Sequence, residues 1–184
     1  MTATQALVVI DVQKAIDDPK WGRRGQPGAE AAIADLLAAW RKRRLPVIHI
    51  RHDSTDPASP YRPGTSGNDF KAEVAPQMGE PVVDKRTNNA FIGTDLMDVL
   101  DELQIGRLVV AGVLLENSVD ATVRMAANLG FEVTIAEDAV ASVDRRDRSG
   151  KTWTAEDVHA LTLSILDGEY AQISSSKAII EALP

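Results

Sequence analysis

The chain has no cysteine in its 184 residues. Disulfides, thiolate metal ligands and a thiol nucleophile are therefore excluded. Histidine is scarce as well. His49, His52 and His159 are the three present, and their scatter predicts no metal site. His49 and His52 stand three apart on or after a strand, so they point to roughly opposite faces. They read as strand-end polar groups that line a cleft or bond to backbone. There is no basic tract and no aromatic-rich basic patch, and the net charge is -7; nucleic acid is not an expected partner. No apolar run approaches membrane-spanning length and no signal-peptide pattern is present, so we expect no membrane partner and a cytoplasmic location. A Gly-x-Gly-x-x-Gly after the first strand and a phosphate-binding Gly-Lys-Ser/Thr are both missing, which argues against nucleotide binding. Neither repeats nor linkers break the chain, and its length is that of a single domain over residues 1–184.

What is present alternates between strands and helices. Ala6 to Val12 is an almost wholly apolar strand, interrupted by Asp11 near its carboxyl end. Burying a carboxylate there is costly unless it is paired or used, so Asp11 is a candidate functional residue or one half of a strand-end salt bridge. Ala32, Ile33, Leu36, Leu37 and Trp40 mark a helix over 29–43 with a basic last turn. A second strand covers Pro46 to Arg51. The long segment from Asp53 to Gly79 has little periodicity and reads as a binding loop or lid, with Tyr61, Arg62 and Phe70 as candidate contacts. Pro81 to Lys85 is a short strand that ends on Lys85. Thr94 or Asp95 caps a helix from Leu96 to Leu103. A strand over Glu132 to Asp138 and a charged loop over Asp144 to Lys151 come next. Thr154 then caps a helix to Leu166 with the apolar set Val158, Leu161, Ile165 and Leu166. A short strand, Ala171 to Ser174, and a helix, Ser176 to Leu183, complete the pattern. Such alternation predicts an α/β fold of three layers, α/β/α: a Rossmann-like, six-stranded, mainly parallel sheet with helices on both faces.

The stretch from Arg107 to Gly130 draws the most attention. Leu108 to Val113 is a buried strand, and Val119, Val123 and Ala126 recur at helical spacing up to a C-cap at Gly130. Ser118 sits in the turn between them, at the positive end of a helix dipole. Asn117 or Ser118 would serve there as an N-cap, with Asp120 in the first turn complementing the dipole. Asp11, Lys85 and this turn all lie at carboxyl ends of strands, where parallel sheets build their sites.

At these places the sequence resembles the isochorismatase-like hydrolases, also called the cysteine hydrolase family. The matching pieces are Val8-Val-Ile-Asp-Val-Gln13, Asp84-Lys-Arg86 with Asn89-Ala-Phe91, Val110-Ala-Gly-Val113 with Ser118-Val-Asp-Ala-Thr-Val-Arg-Met-Ala126, and Glu137-Asp-Ala139. The resemblance implies a Cys-Asp-Lys constellation. Asp11 would be the general base, Lys85 its supporting cation and position 118 the nucleophile. The turn at Val113, Leu114 and Asn117 would supply oxyanion-binding N–H groups, shaped by a non-proline cis peptide between Val113 and Leu114. It also implies a homodimer or homotetramer, a small-molecule substrate and no cofactor. The pattern departs at its centre, where Ser118 replaces the cysteine and Leu115 replaces the usual threonine.

Three functions follow. The first is hydrolysis of an amide or carbamoyl-type C–N bond with Ser118 as nucleophile and Asp11 as base, an arrangement harder to run with an alcohol than with a thiol. The second is cleavage of a vinyl ether, with Asp11 as general acid and Ser118 a bystander; burial favours the acid form of Asp11 and Lys85 opposes it. The third is a catalytically silent binding protein that keeps Asp11 and Lys85 as a structural ion pair.

Overall fold

Alternate side chains of the first strand enter two different apolar clusters, and that period of two sets the layers. A computed structural model describes residues 4–184. The elements are β1 (Thr4–Ile10), α1 (Ala29–Arg43), β2 (Val47–His52), β3 (Val82–Lys85), α2 (Leu96–Glu102), β4 (Ile105–Val113), α3 (Asp120–Asn128), β5 (Glu132–Ala141), the short pair β6 (Arg145–Arg146) and β7 (Thr152–Trp153), α4 (Ala155–Leu166), β8 (Gln172–Ser174) and α5 (Ser176–Glu181). Leu7 and Val9 pack under α1 and α5 with Ile33, Leu36, Leu37, Trp40 and Ile179. Ala6, Val8 and Ile10 face the other way, into a cluster with Leu96, Leu100, Val123, Ala126 and Leu166 from α2, α3 and α4. The sheet therefore has helices on both faces, as the alternation predicts.

Six strands pair in the order β3-β2-β1-β4-β5-β8, and every pairing between them is parallel. The chain works outward from β1 through β2 to β3, then returns to place β4 on the other side of β1. The switch point lies between β1 and β4, so the crevice opens at their carboxyl ends. Gly112 makes their close approach workable: its φ is +130°, and a Cβ there would lie 2.1 Å from the Ile10 carbonyl oxygen. No helix of the described residues is long and apolar enough to cross a membrane.

Several boundaries differ from those expected. β1 stops at Ile10, because Asp11 turns to a positive φ of 56° and leaves the ladder; a short polar residue tolerates that conformation. Thr154 caps α4 in a capping box with Asp157, and Thr94 rather than Asp95 accepts from the Leu96 N–H. The charged segment after Asp144 is not an open loop, since Arg145 and Arg146 pair with Trp153 and Thr152. The apolar set on α4 is split: Leu166 is buried, whereas Leu161 and Ile165 are exposed. The helix joins the core beneath the sheet through Leu163 and Leu166, with Val158 half-buried and Leu161 and Ile165 turned outward.

The long segment after β2 is pinned at its far end by Glu80. Arg41 of α1 grips that carboxylate at 2.7 and 2.8 Å. Buried His49 meets the same carboxylate at 3.0 Å and the Gln77 N–H donates at 2.8 Å. Burial alone would raise the Glu80 carboxyl, but Arg41 and the other donors outweigh it and hold it at about 2. A depressed carboxyl contributes stability that is complete above its unfolded value and is lost as pH falls through the folded one. We expect Glu80→Gln to cost about 1.5–3 kcal/mol near neutrality. Urea unfolding of both proteins should show the gap shrinking from pH 4.5 toward pH 2; a gap independent of pH contradicts the assignment.

Candidate active site

Adjacent strands lie about 4.8 Å apart, so β1 and β3 are about 10 Å apart with β2 between them. Only a long side chain spans that distance, and Lys85 does. From the end of β3 it passes the end of β2 and donates to Asp11 Oδ2 at 2.7 Å. Its ammonium also reaches the Thr87 carbonyl oxygen at 3.1 Å and Ser118 Oγ at 3.2 Å, and it stands 3.3 Å from His52 Nδ1. Lys85 is fully buried, and Asp11 and Ser118 are nearly so. The sequence-predicted trio is thus brought together, with Lys85 rather than Asp11 at its centre. The side-chain hydrogen bond of Asp11 runs to Lys85, and none runs to Ser118. Its other carboxylate oxygen, Oδ1, is buried without a hydrogen-bond partner.

The Asp-x-Gln spacing acquires a physical role in this arrangement. Gln13 is fully buried, and its amide grips both sides of the His52 peptide. It accepts from His52 N at 2.8 Å and donates to His52 O at 3.1 Å. Asn68 donates to the same carbonyl at 3.0 Å. The ends of β1 and β2, and the residues they carry, are locked together by these bonds.

Ser118 sits differently from expectation. Leu115–Val119 form a single π turn running directly into α3, and no side chain caps either junction. Residue 118 is already inside helical backbone, so neither Asn117 nor Ser118 is an N-cap. Instead Leu114 O takes the N–H groups of Asn117 and Val119. Asn117 is turned to Asn88, whose Nδ2 donates to its side-chain oxygen at 2.8 Å. Asp120 stands in the first turn as expected, held by Arg124 four residues on. The peptide between Val113 and Leu114 is cis.

These groups open onto a cleft of about 320 Å³ lined by Asp11, Trp21, His52, Tyr61, Asn117 and Ser118 among others, with Val113 and Leu114 in its wall. Of the three candidate contacts from the long loop, Tyr61 alone lines it. Arg62 is exposed, and Phe70 packs edge-on against His49 instead. The Tyr61 hydroxyl donates to Asp11 O at 3.4 Å; burial, then the Asp11 charge, pushes it well above its usual range. The His52 ring is edge-on to Tyr61, with centroids 5.6 Å apart. Burial first, and the Lys85 charge second, hold its imidazole below the usual 6.5. The contact between His52 and Lys85 was not read from the sequence. The available signal was a histidine closing a strand, and it becomes decisive only once β2 is known to lie between the strands carrying Asp11 and Lys85. His49, by contrast, points to the other face and to Glu80. Among the described residues no three His, Cys, Asp or Glu side chains converge to hold a metal ion.

A model of the isochorismatase domain matches residues 5–165. The chain belongs to the isochorismatase family. Isochorismatase family protein YrdC of Bacillus subtilis is 36% identical over 180 residues, covering 98% of this chain and 96% of its own. A crystal structure of an isochorismatase-family protein from Chromobacterium violaceum superposes with a TM-score of 0.94 at 53% identity, over 97% of this chain and 93% of that one. Streptothricin hydrolase of Streptomyces noursei is 35% identical over 143 residues, which cover 76% of this chain and 55% of that enzyme. The six-stranded parallel sheet with flanking helices is this family's fold, and hydrolysis is the chemistry that its relatives' names carry.

Proposed function

We propose that this isochorismatase-family chain hydrolyses a small amide or carbamoyl-type C–N substrate, with Ser118 as nucleophile. One observation carries the reading: Asp11 and Ser118 line a cleft, and buried Lys85 Nζ behind them bridges Asp11 Oδ2 at 2.7 Å and Ser118 Oγ at 3.2 Å. The likeness to streptothricin hydrolase supports C–N chemistry in preference to vinyl-ether cleavage.

In this reading the Ser118 proton leaves through Lys85, which contacts both Ser118 and Asp11. Nζ first gives one of its protons to Asp11, and the amine lone pair this frees accepts the hydroxyl proton as Oγ bonds to the carbonyl carbon, so Lys85 ends as an ammonium and Asp11 as the acid. A buried amine paired to a carboxylate suits such a transfer, and serine–lysine pairs serve as nucleophile and base on other folds. The oxyanion then forms against N–H groups of the 113–118 turn other than that of Asn117, which is bonded to Leu114 O. Collapse breaks the C–N bond, and the proton held by Asp11 goes to the departing nitrogen. Water hydrolyses the resulting ester by the same route and restores Ser118.

The test is release of ammonia or an amine from a panel of small amides, ureas and lactams. Ser118→Ala should lower turnover of whichever substrate responds by about 10³-fold or more, with folding unchanged by circular dichroism. Turnover equal to that of the parent protein removes Ser118 from the chemistry. In that event vinyl-ether hydrolysis through Asp11, assayed with isochorismate, becomes the reading to pursue. If neither form turns over any substrate, the binding-protein reading stands in its place.

A further inference from the structure

The Lys85 ammonium has three hydrogens and four partners within reach: Asp11 Oδ2, Thr87 O, Ser118 Oγ and His52 Nδ1. The contacts to Asp11 and Thr87, at 2.7 and 3.1 Å, are the shorter ones. Those to Ser118 and His52, at 3.2 and 3.3 Å, are nearly equal. Beyond the hydrogen held by Asp11, two are left for three acceptors at 3.1–3.3 Å, so Ser118 and His52 compete for one whenever Thr87 holds the other. We propose that His52 is a positioning residue of the site, whose Nδ1 takes this shared hydrogen and so releases the Ser118 oxygen lone pair for attack.

The placement of His52 is built rather than incidental. Gln13 and Asn68 fix its peptide, Tyr61 fixes its ring, and parallel pairing sets it opposite Lys85 in register. Nδ1 can accept only when it carries no proton, which requires the neutral ring with its hydrogen on Nε2. Each element packed around the ring bears on that state. Burial and Lys85 from β3 favour the neutral form, whereas Asp11 just past β1, Asp53 beside the ring and the Thr87 carbonyl favour the charged form. The Tyr61 hydroxyl stays neutral throughout. A protonated His52 cannot accept. It would set a second cation against Lys85 and return the shared hydrogen to Ser118, which quenches the nucleophile. The neutral ring is the working state, so activity should fall as pH drops through the His52 midpoint.

The kinetic part of this inference rests on the hydrolase reading; the structural part does not. With three histidines in the chain, ring ¹⁵N shifts can be followed residue by residue. At neutral pH His52 should show an unprotonated Nδ1, and in Ser118→Ala, where the competing acceptor is gone, its midpoint should move down. A hydrogen on Nδ1 at neutral pH, or an unmoved midpoint, overturns the proposal whether or not any substrate is known. With a responsive amide, His52→Phe should lower kcat about 10-fold or more at little change in KM. His52→Asn, whose Oδ1 stands close to the place of Nδ1, should restore most of kcat and flatten the acid limb of the pH profile. If kcat survives His52→Phe, the positioning role is refuted. If the parent protein hydrolyses nothing while the ring behaves as stated, the hydrolase reading fails and the hydrogen-sharing contact stands.

Discussion

Lys85→Met should cost the fold about 3–5 kcal/mol, the usual loss when one partner of a buried ion pair is removed. Methionine supplies a stem of similar length and no hydrogen-bond donors. The change leaves the Asp11 carboxylate in an apolar setting with Oδ2 newly orphaned, although its Oδ1 is already buried without a partner. It also strips the Thr87 carbonyl and Ser118 Oγ of a donor. Urea unfolding near neutral pH measures the loss. The companion experiment is the double variant Asp11→Leu with Lys85→Met, in which both charges give way to apolar groups of comparable size. Such replacements are often neutral or stabilising, so the double variant should regain most of the stability while recovering no turnover. A single-variant loss below about 1 kcal/mol, the worth of an exposed pair, would mean that the site is wetter than its burial implies. A double variant no more stable than the single one would place the defect in packing instead of charge.

This pair of outcomes separates two reasons for keeping a lysine and an aspartate together. If stability alone were at stake, an apolar pair would serve as well. The geometry points past stability, because Lys85 is shared among more acceptors than an ion pair requires and one of them is Ser118 Oγ. A strand-end salt bridge, the plainer sequence reading of Asp11, is present, and its Asp11 half also lines the cleft.

The parts of the architecture that the sequence revealed are those set by local periodicity. β1 and β4 are continuous apolar runs because both faces are covered, and a polar residue closing such a run is conspicuous. That is why Asp11 stands out in the sequence, whereas Lys85 and Ser118 stand out by falling, like it, at carboxyl ends of strands and by matching the family's pieces. His52 could not be placed against Lys85, because their contact depends on strand order: β2 must lie between β1 and β3, and no residue near position 52 encodes that. The π turn escaped for a related reason. An i→i+5 turn has the composition of ordinary helix, so Ser118 looked like a cap when it was already inside the first turn. Leu161 and Ile165 on α4 fit a helical apolar stripe in sequence, yet only one side of that stripe meets the sheet.

A thiol placed at position 118 is the sharper probe of the same site. In Ser118→Cys the new side chain is the chain's single cysteine, so every thiol measurement reports on position 118. A free thiol titrates near 8.5, and a neighbouring ammonium or helix N-terminus draws it lower. Here the sulfur replaces an oxygen 3.2 Å from the Lys85 ammonium and close to the start of α3. The rate of alkylation by iodoacetamide should rise with pH through a midpoint well below 8.5, and combining the change with Lys85→Met should move that midpoint upward. Turnover of amides should increase by about 10²-fold or more, because the proton transfer that limits an alcohol no longer does so. A midpoint at or above 8.5 would show that Lys85 does not act on position 118. A low midpoint without any gain in turnover would show that the nucleophile's seat is intact but that the cleft no longer orients an amide against it. A gain in both would show that the alcohol at position 118 is what limits this site in amide hydrolysis.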